Sequence, residues 1–191
     1  MEILSAIEPV IKAFEELGIS YYIGGSIASS AYGIARATLD VDLISNLKPY
    51  QVNSLVKKLK PDYFIDENMI QDAIQTTSSF NLIHLETMLK VDVFILKEKL
   101  YSQKAFERKR KDTIDVENNS LQIYLCSAED IILNKLEWYK LGEKVSERQW
   151  LDVLGVIKVQ GNLLDVEYLK HWAKELDISD LLERALEEGK G

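Results

Sequence analysis

Three aspartates sit inside runs whose alternation is that of β-strands. A charged side chain in such a run must face solvent or find a partner, so each one dictates which strand face is the core. In Leu39-Asp40-Val41-Asp42-Leu43-Ile44, the apolar residues alternate with the acids. Asp40 and Asp42 therefore project from one face, roughly 6.5–7 Å apart at the backbone, while Val41 and Leu43 anchor the other. Lys90-Val91-Asp92-Val93-Phe94 repeats the pattern with one acid between two valines. Upstream, Tyr21-Tyr22-Ile23 runs into Gly24-Gly25-Ser26, a strand-to-helix turn whose N–H groups at Gly25 and Ser26 make an anion site. Asp-x-Asp alone is common on a solvated strand face, and glycine is usual at a strand–helix junction. The specific signal is the order: strand, Gly-Gly-Ser, helix, strand with Asp-x-Asp, later strand with Asp.

The rest of the chain reads as an α/β arrangement. Ile3, Ile7, Val10, Ile11 and Phe14 recur at helical spacing over 3–17, and Gly18 is a natural stop. A helix is expected from Ser26 to Tyr32, ended by Gly33, and another from Pro49 to Leu59. Segments 80–85 and 91–96 form an antiparallel pair about a turn at 87–90. A charged helix follows at about 98–110, then a hairpin of 113–116 and 121–125 around Asn118-Asn119. Beyond it, Ser127 followed three residues later by Asp130 signals a helix start, leading into 128–141. Amphipathic helices follow at 146–159, 166–176 and 178–188. The domain reading is an α/β core over 1–125, a mixed sheet flanked by helices, with a helical C-terminal region over 126–191 packed on it.

At 191 residues, 47% apolar and 28% charged, the composition is that of a globular chain able to bury a core. The net charge of −8 disfavours holding long nucleic acid through phosphate neutralisation. Cys126 is the lone cysteine, which excludes an intrachain disulfide and a cysteine zinc site; it reads as a small packing residue. Glu2, Glu8 and Lys12 interrupt any secretory pattern, and no run approaches membrane-spanning length. The expectation is a cytoplasmic protein with no membrane partner.

Asp40 and Asp42 make a platform for two Mg²⁺ ions about 3.5–4 Å apart, with Asp92 facing the same way from a neighbouring strand. Hard oxygen ligands suit Mg²⁺, which draws its remaining ligands from water and substrate phosphates. Uncompensated acids at one spot raise each other's pKa, and a metal removes that conflict.

The order Gly24-Gly25-Ser26, Asp40-Val41-Asp42 and Asp92 resembles the nucleotidyltransferase superfamily, which includes aminoglycoside and lincosamide nucleotidyltransferases. The lead-in Arg36-Ala37-Thr38-Leu39-Asp40-Val41-Asp42-Leu43 resembles the Arg-x-Thr-x-Asp-hydrophobic-Asp form of bacterial nucleotidyltransferase-like proteins, including AbiEii-type abortive-infection toxins. The stretch Ser127-Ala128-Glu129-Asp130-Ile131-Ile132-Leu133-Asn134-Lys135-Leu136 looks like those proteins' helix with an acid pair and a lysine. Trp150-Leu151-Asp152-Val153 is similar to their later Asp-bearing helix, so the resemblance covers most of 20–155. It implies a nucleotidyltransferase-like fold and transfer of NMP from ATP or another NTP to an acceptor hydroxyl. Gly24, Gly25 and Ser26 would contact the triphosphate, Asp40 and Asp42 would hold the two Mg²⁺ ions, and Asp92 would bind a metal or take the hydroxyl's proton. Lys135 would touch phosphate. The acceptor, a small molecule, a tRNA end or a protein, stays open. So does a toxin–antitoxin or phage-defence role with a cognate partner protein.

Secondary candidates carry plainer readings beside the functional ones. Arg36, just before the metal strand, reaches toward triphosphate or faces solvent. Asp152 orients Lys135 or Arg148, or is a surface acid. Lys104, Arg108, Lys109, Arg110 and Lys111 form either a cationic helix end or an electropositive lip. Trp138, Trp150 and Trp172 read as core or interface residues, and His84 as structural. The rival function is a non-catalytic nucleotide- or protein-binding module of the same fold.

Overall fold

The structure, a computed structural model, describes residues 2–38, 40–116 and 119–189. The expected strand start at Leu39 and half of the expected turn, Asn118, lie outside the described residues. Chain order is α1 (Glu2–Glu16), β1 (Tyr21–Ile23), α2 (Gly25–Tyr32), β2 (Asp40–Ser45), α3 (Val52–Leu59), β3 (Tyr63–Phe64), α4 (Glu67–Thr76), β4 (Ser79–His84) and β5 (Lys90–Ile95). Then come α5 (Leu100–Glu107), β6 (Arg110–Val116), β7 (Asn119–Leu125), α6 (Ala128–Leu141), α7 (Glu147–Gln160), α8 (Val166–Glu175) and α9 (Ser179–Glu188). Two compact units result. One is the chain up to Gly24 with Thr38–Leu125; the other is Gly25–Ala37 with the chain from Cys126 onward.

The first unit holds a seven-stranded mixed sheet in the order β3-β4-β5-β2-β1-β7-β6. One face is mainly apolar: Val41, Leu43, Val91, Val93 and Leu82 are all 0% exposed, with Ser45 and His84 the buried polar residues of β2 and β4. Helix α1 packs with α3 and against β5, burying Ile7, Val10, Ile11 and Phe14. It runs through Pro9, whose missing N–H costs one helical bond; that buried stripe offsets the loss. Strands β4 and β5 pair antiparallel, as expected.

Two findings differ from the sequence reading. Helix α5 stops at Glu107, and Arg110 and Lys111 belong to β6, because β6 pairs with β7 from Arg110↔Leu125 onward. The basic cluster is therefore divided between a helix, a link and a strand rather than gathered at one helix end. Helix α4 and the two-residue β3 had no counterpart in the sequence reading. Asp66 caps α4, its carboxylate accepting the Met69 N–H at 2.8 Å, and Ile70 and Ala73 supply the buried face.

The second unit is helical, with Ile132, Leu133, Leu136, Val153, Val156, Leu169, Ala173 and Ala185 each at or below 1% exposure. Ser127 caps α6 as its sequence signal implied, its Oγ accepting the Asp130 N–H at 3.1 Å. Asp130, fully buried, also accepts the Tyr168 hydroxyl at 2.8 Å. Helix α2 belongs with these helices: it packs on α6 and α7 through buried Ala28 and Ser29. Gly33, after α2, could not be another residue without backbone movement. A Cβ there would lie 2.8 Å from the Val156 nitrogen and 2.9 Å from the Gly155 carbonyl carbon. That close approach carries the 34–37 segment along α7. Cys126 is fully buried, and burial pushes its thiol pKa up, as befits a packing residue.

Candidate functional site

On the polar sheet face, β2 and β5 run parallel with Asp40↔Lys90, Val41↔Val91, Asp42↔Asp92 and Leu43↔Val93 in register. Asp42 and Asp92, fifty residues apart in sequence, are thus neighbours across one strand spacing, about 4.8 Å. Both are partly exposed and share a face, because the valines and leucine between them are buried on the other. Asp40 lies at the exposed start of β2, and Asn81 of β4 flanks Asp92 from the far side. Gly24 closes the same region, its N–H donating to the Asp42 carbonyl at 2.9 Å.

Among the described residues, no three His, Cys, Asp or Glu side chains are gathered closely enough to form a metal-ligand group. Lys90 Nζ holds Asp92 Oδ2 at 2.8 Å. Its ammonium is kept protonated above the usual lysine range, first by Asp92 and further by the fields of Asp40 and Asp42. Mg²⁺ does not need an all-protein cage, since one or two carboxylates with water and substrate phosphates satisfy it. The in-register pair Asp42 and Asp92, hard oxygen donors on a half-open face, fits that requirement in chemistry and placement.

The phosphate candidates of the helical unit converge on a residue treated at first as secondary. Asp152 on α7 receives Arg36 in a two-pronged pair, Nε to Oδ1 at 2.8 Å and Nη2 to Oδ2 at 2.9 Å. Lys135 of α6 reaches the same Oδ2 at 2.8 Å and Gln149 Oε1 at 3.0 Å. Arg36 Nη2 also donates to Ser26 Oγ at 2.6 Å. Lys135 is 4% exposed and Asp152 8%, so this is an interior ion cluster rather than a solvated one. Burial by itself would push the Asp152 carboxyl up; hydrogen bonds from Arg36 and Lys135 outweigh it and hold the group below the usual aspartate range. Gly25, which opens α2 beside Ser26, has φ +55, a left-handed conformation that glycine adopts without strain.

The structure thus gathers Ser26, Arg36 and Lys135 around Asp152, and Asp42 with Asp92 across two strands. Lys90 was read as a turn residue, and Asn81 and Gln149 were not singled out. The signal for Lys90 was present: it stands two residues before Asp92 and so shares its strand face. Arg148 is not the partner of Asp152; Arg36 and Lys135 are. His84 is 5% exposed and bonded through Nδ1 to Thr87 Oγ1 at 2.9 Å, a structural role as expected.

No protein-family model matches the sequence, and no curated protein matches it. Solved structures do. The crystal structure of ANT(2'')-Ia in complex with adenylyl-2''-tobramycin matches with TM-score 0.59 and 13% identity, over 92% of this chain and 98% of that one. The solution structure of the antibiotic-resistance factor ANT(2'')-Ia matches with TM-score 0.54 and 15% identity, over 96% of each chain. A Thermotoga maritima protein assigned to the nucleotidyltransferases matches with TM-score 0.50 and 13% identity, over 79% of this chain and 93% of that one. At such identities the likeness shows the fold alone: a mixed α/β arrangement like that of these solved structures. Among the described residues, no helix is long and apolar enough to cross a membrane.

Proposed function

We propose that this chain transfers a nucleoside monophosphate from a nucleoside triphosphate, ATP or another, to an acceptor hydroxyl, with Mg²⁺ as cofactor. The observation that carries the reading is the in-register placement of Asp42 beside Asp92 on parallel strands of a sheet with the nucleotidyltransferase fold. Asp42 and Asp92 would hold Mg²⁺, with Asp40 from the strand's exposed start serving a second ion. Bound metal supplies positive charge for the triphosphate and for the attacking and leaving oxygens of an in-line displacement. Asp92 would help bind a metal or take the acceptor hydroxyl's proton.

Gly24, Gly25 and Ser26 are the backbone turn offered to phosphate oxygens, and Arg36 and Lys135 are the cations assigned to them. Asp152 keeps the Arg36 guanidinium oriented, as its two-pronged pair supports. The acceptor belongs to the small-molecule, tRNA-end or protein class. The adenylyl-tobramycin complex of ANT(2'')-Ia exemplifies the first; a toxin–antitoxin or phage-defence component with a cognate partner protein is one version of the same reading.

One observation favours the second reading, a non-catalytic nucleotide- or protein-binding module: Arg36, Lys135 and Asp92 are all engaged by protein groups. Nucleotide-dependent thermal stabilisation separates the two, because a ligand bound only by the native state raises stability by mass action. A larger shift by triphosphate with Mg²⁺ than with EDTA, followed by label transfer in a panel of tRNA, proteins and small hydroxylated molecules, supports the enzyme. Equal shifts with and without metal leave a phosphate-binding module.

A further inference from the structure

The polar face of β2 and β5 carries three acids and one base, and the base is paired with one of the acids. Lys90 and Asp92 are two apart on one strand, so both side chains leave the same face. Lys90 is also the register partner of Asp40, and Asp92 that of Asp42. The ammonium pairs with Asp92 Oδ2 at 2.8 Å on the strand face that carries Asp40 and Asp42. Asp92, at 21% side-chain exposure, is the more enclosed partner, while Lys90, at 45%, has open solvent to swing into.

We propose that Lys90 is a built-in counter-ion of the carboxylate face: its ammonium offsets one of the three carboxylate charges when no metal is bound and competes with a divalent cation for Asp92. The proposal rests on the metal-binding reading above and adds to it a residue that sets metal affinity. An ammonium and a divalent ion cannot share one carboxylate oxygen without repulsion, so metal entry displaces Lys90 from Asp92 Oδ2. Offsetting one negative charge lessens the repulsion among Asp40, Asp42 and Asp92 in the metal-free protein. Metal occupancy then depends on the concentration of metal, or of metal–triphosphate complex, high enough to outcompete a tethered cation.

The test is titration of the purified full chain with Mn²⁺, followed by the free-ion paramagnetic signal, in wild type, Lys90→Met and Lys90→Gln. Both variants keep a long side chain at an exposed strand position, and a melting curve for each verifies the fold. Removing the competing charge should tighten Mn²⁺ binding by about tenfold or more at low ionic strength, the difference shrinking as salt screens it. Triphosphate-free Mg²⁺ should likewise raise the melting temperature of both variants more than that of wild type. Equal or weaker Mn²⁺ binding by both variants, with wild type binding normally, overturns the role of Lys90 and leaves the metal site standing. Absence of Mn²⁺ binding in all three proteins, with and without triphosphate, overturns the metal site and the inference together.

Discussion

Replacing Asp152 by leucine tests whether the ion cluster of the helical unit holds that unit together. Leucine keeps the branched shape and removes the carboxylate. Among the described residues, Lys135 then keeps Gln149 Oε1 at 3.0 Å as its acceptor, with its side chain 5% exposed. Arg36, with 27% of its side chain exposed, keeps Ser26 and can turn to water. The main penalty is thus one buried, uncompensated ammonium, and breaking such a pair by removing one partner costs about 3–5 kcal/mol. For a chain of this length, at roughly 2–4 °C per kcal/mol, the melting temperature should fall by roughly 6–20 °C. The double variant Lys135→Met with Asp152→Leu removes both charges and should recover most of that loss, since a buried pair replaced by apolar groups is often neutral. Urea unfolding followed by helical circular dichroism measures both proteins. A single variant that loses less than about 1 kcal/mol, or a double variant no more stable than the single, refutes the argument that Lys135 depends on Asp152.

Three further outcomes follow from the same geometry. Asp42→Asn preserves side-chain shape and should leave the melting temperature unchanged or higher, while nucleotidyl transfer falls by about 10²-fold or more; undiminished transfer would make Asp42 a structural acid. Val41→Asp, one residue away on the fully buried face, should cost about 4 kcal/mol or more, measured by denaturant unfolding. Because Asp152 has a depressed pKa in the folded protein, its contribution is complete above the ordinary aspartate value of about 4 and is lost as pH falls through the lower folded value. An acid titration followed by circular dichroism should accordingly show a weaker dependence on pH below about 4 in Asp152→Asn than in wild type.

Local chemistry was legible from the sequence by itself. The alternation around Asp40, Asp42 and Asp92 marked the strands and their buried faces, because side-chain direction in a strand depends only on position parity. Gly18 after α1 and Ser127 before α6 marked helix ends, because caps satisfy orphan backbone groups within a few residues. Helix α4 was equally local, with Asp66 as its cap and Ile70 and Ala73 as its buried face, but two buried positions make a faint periodicity. What only the tertiary structure decided were the partnerships between distant segments. No local rule pairs Asp42 with Asp92, sets Lys90 in register with Asp40, or brings Arg36 to Asp152 across 116 residues. Strand register and helix packing choose those neighbours. They depend on which apolar faces bury each other once the whole chain has collapsed, and for that reason α2 sits with the C-terminal helices although it follows the first strand of the sheet.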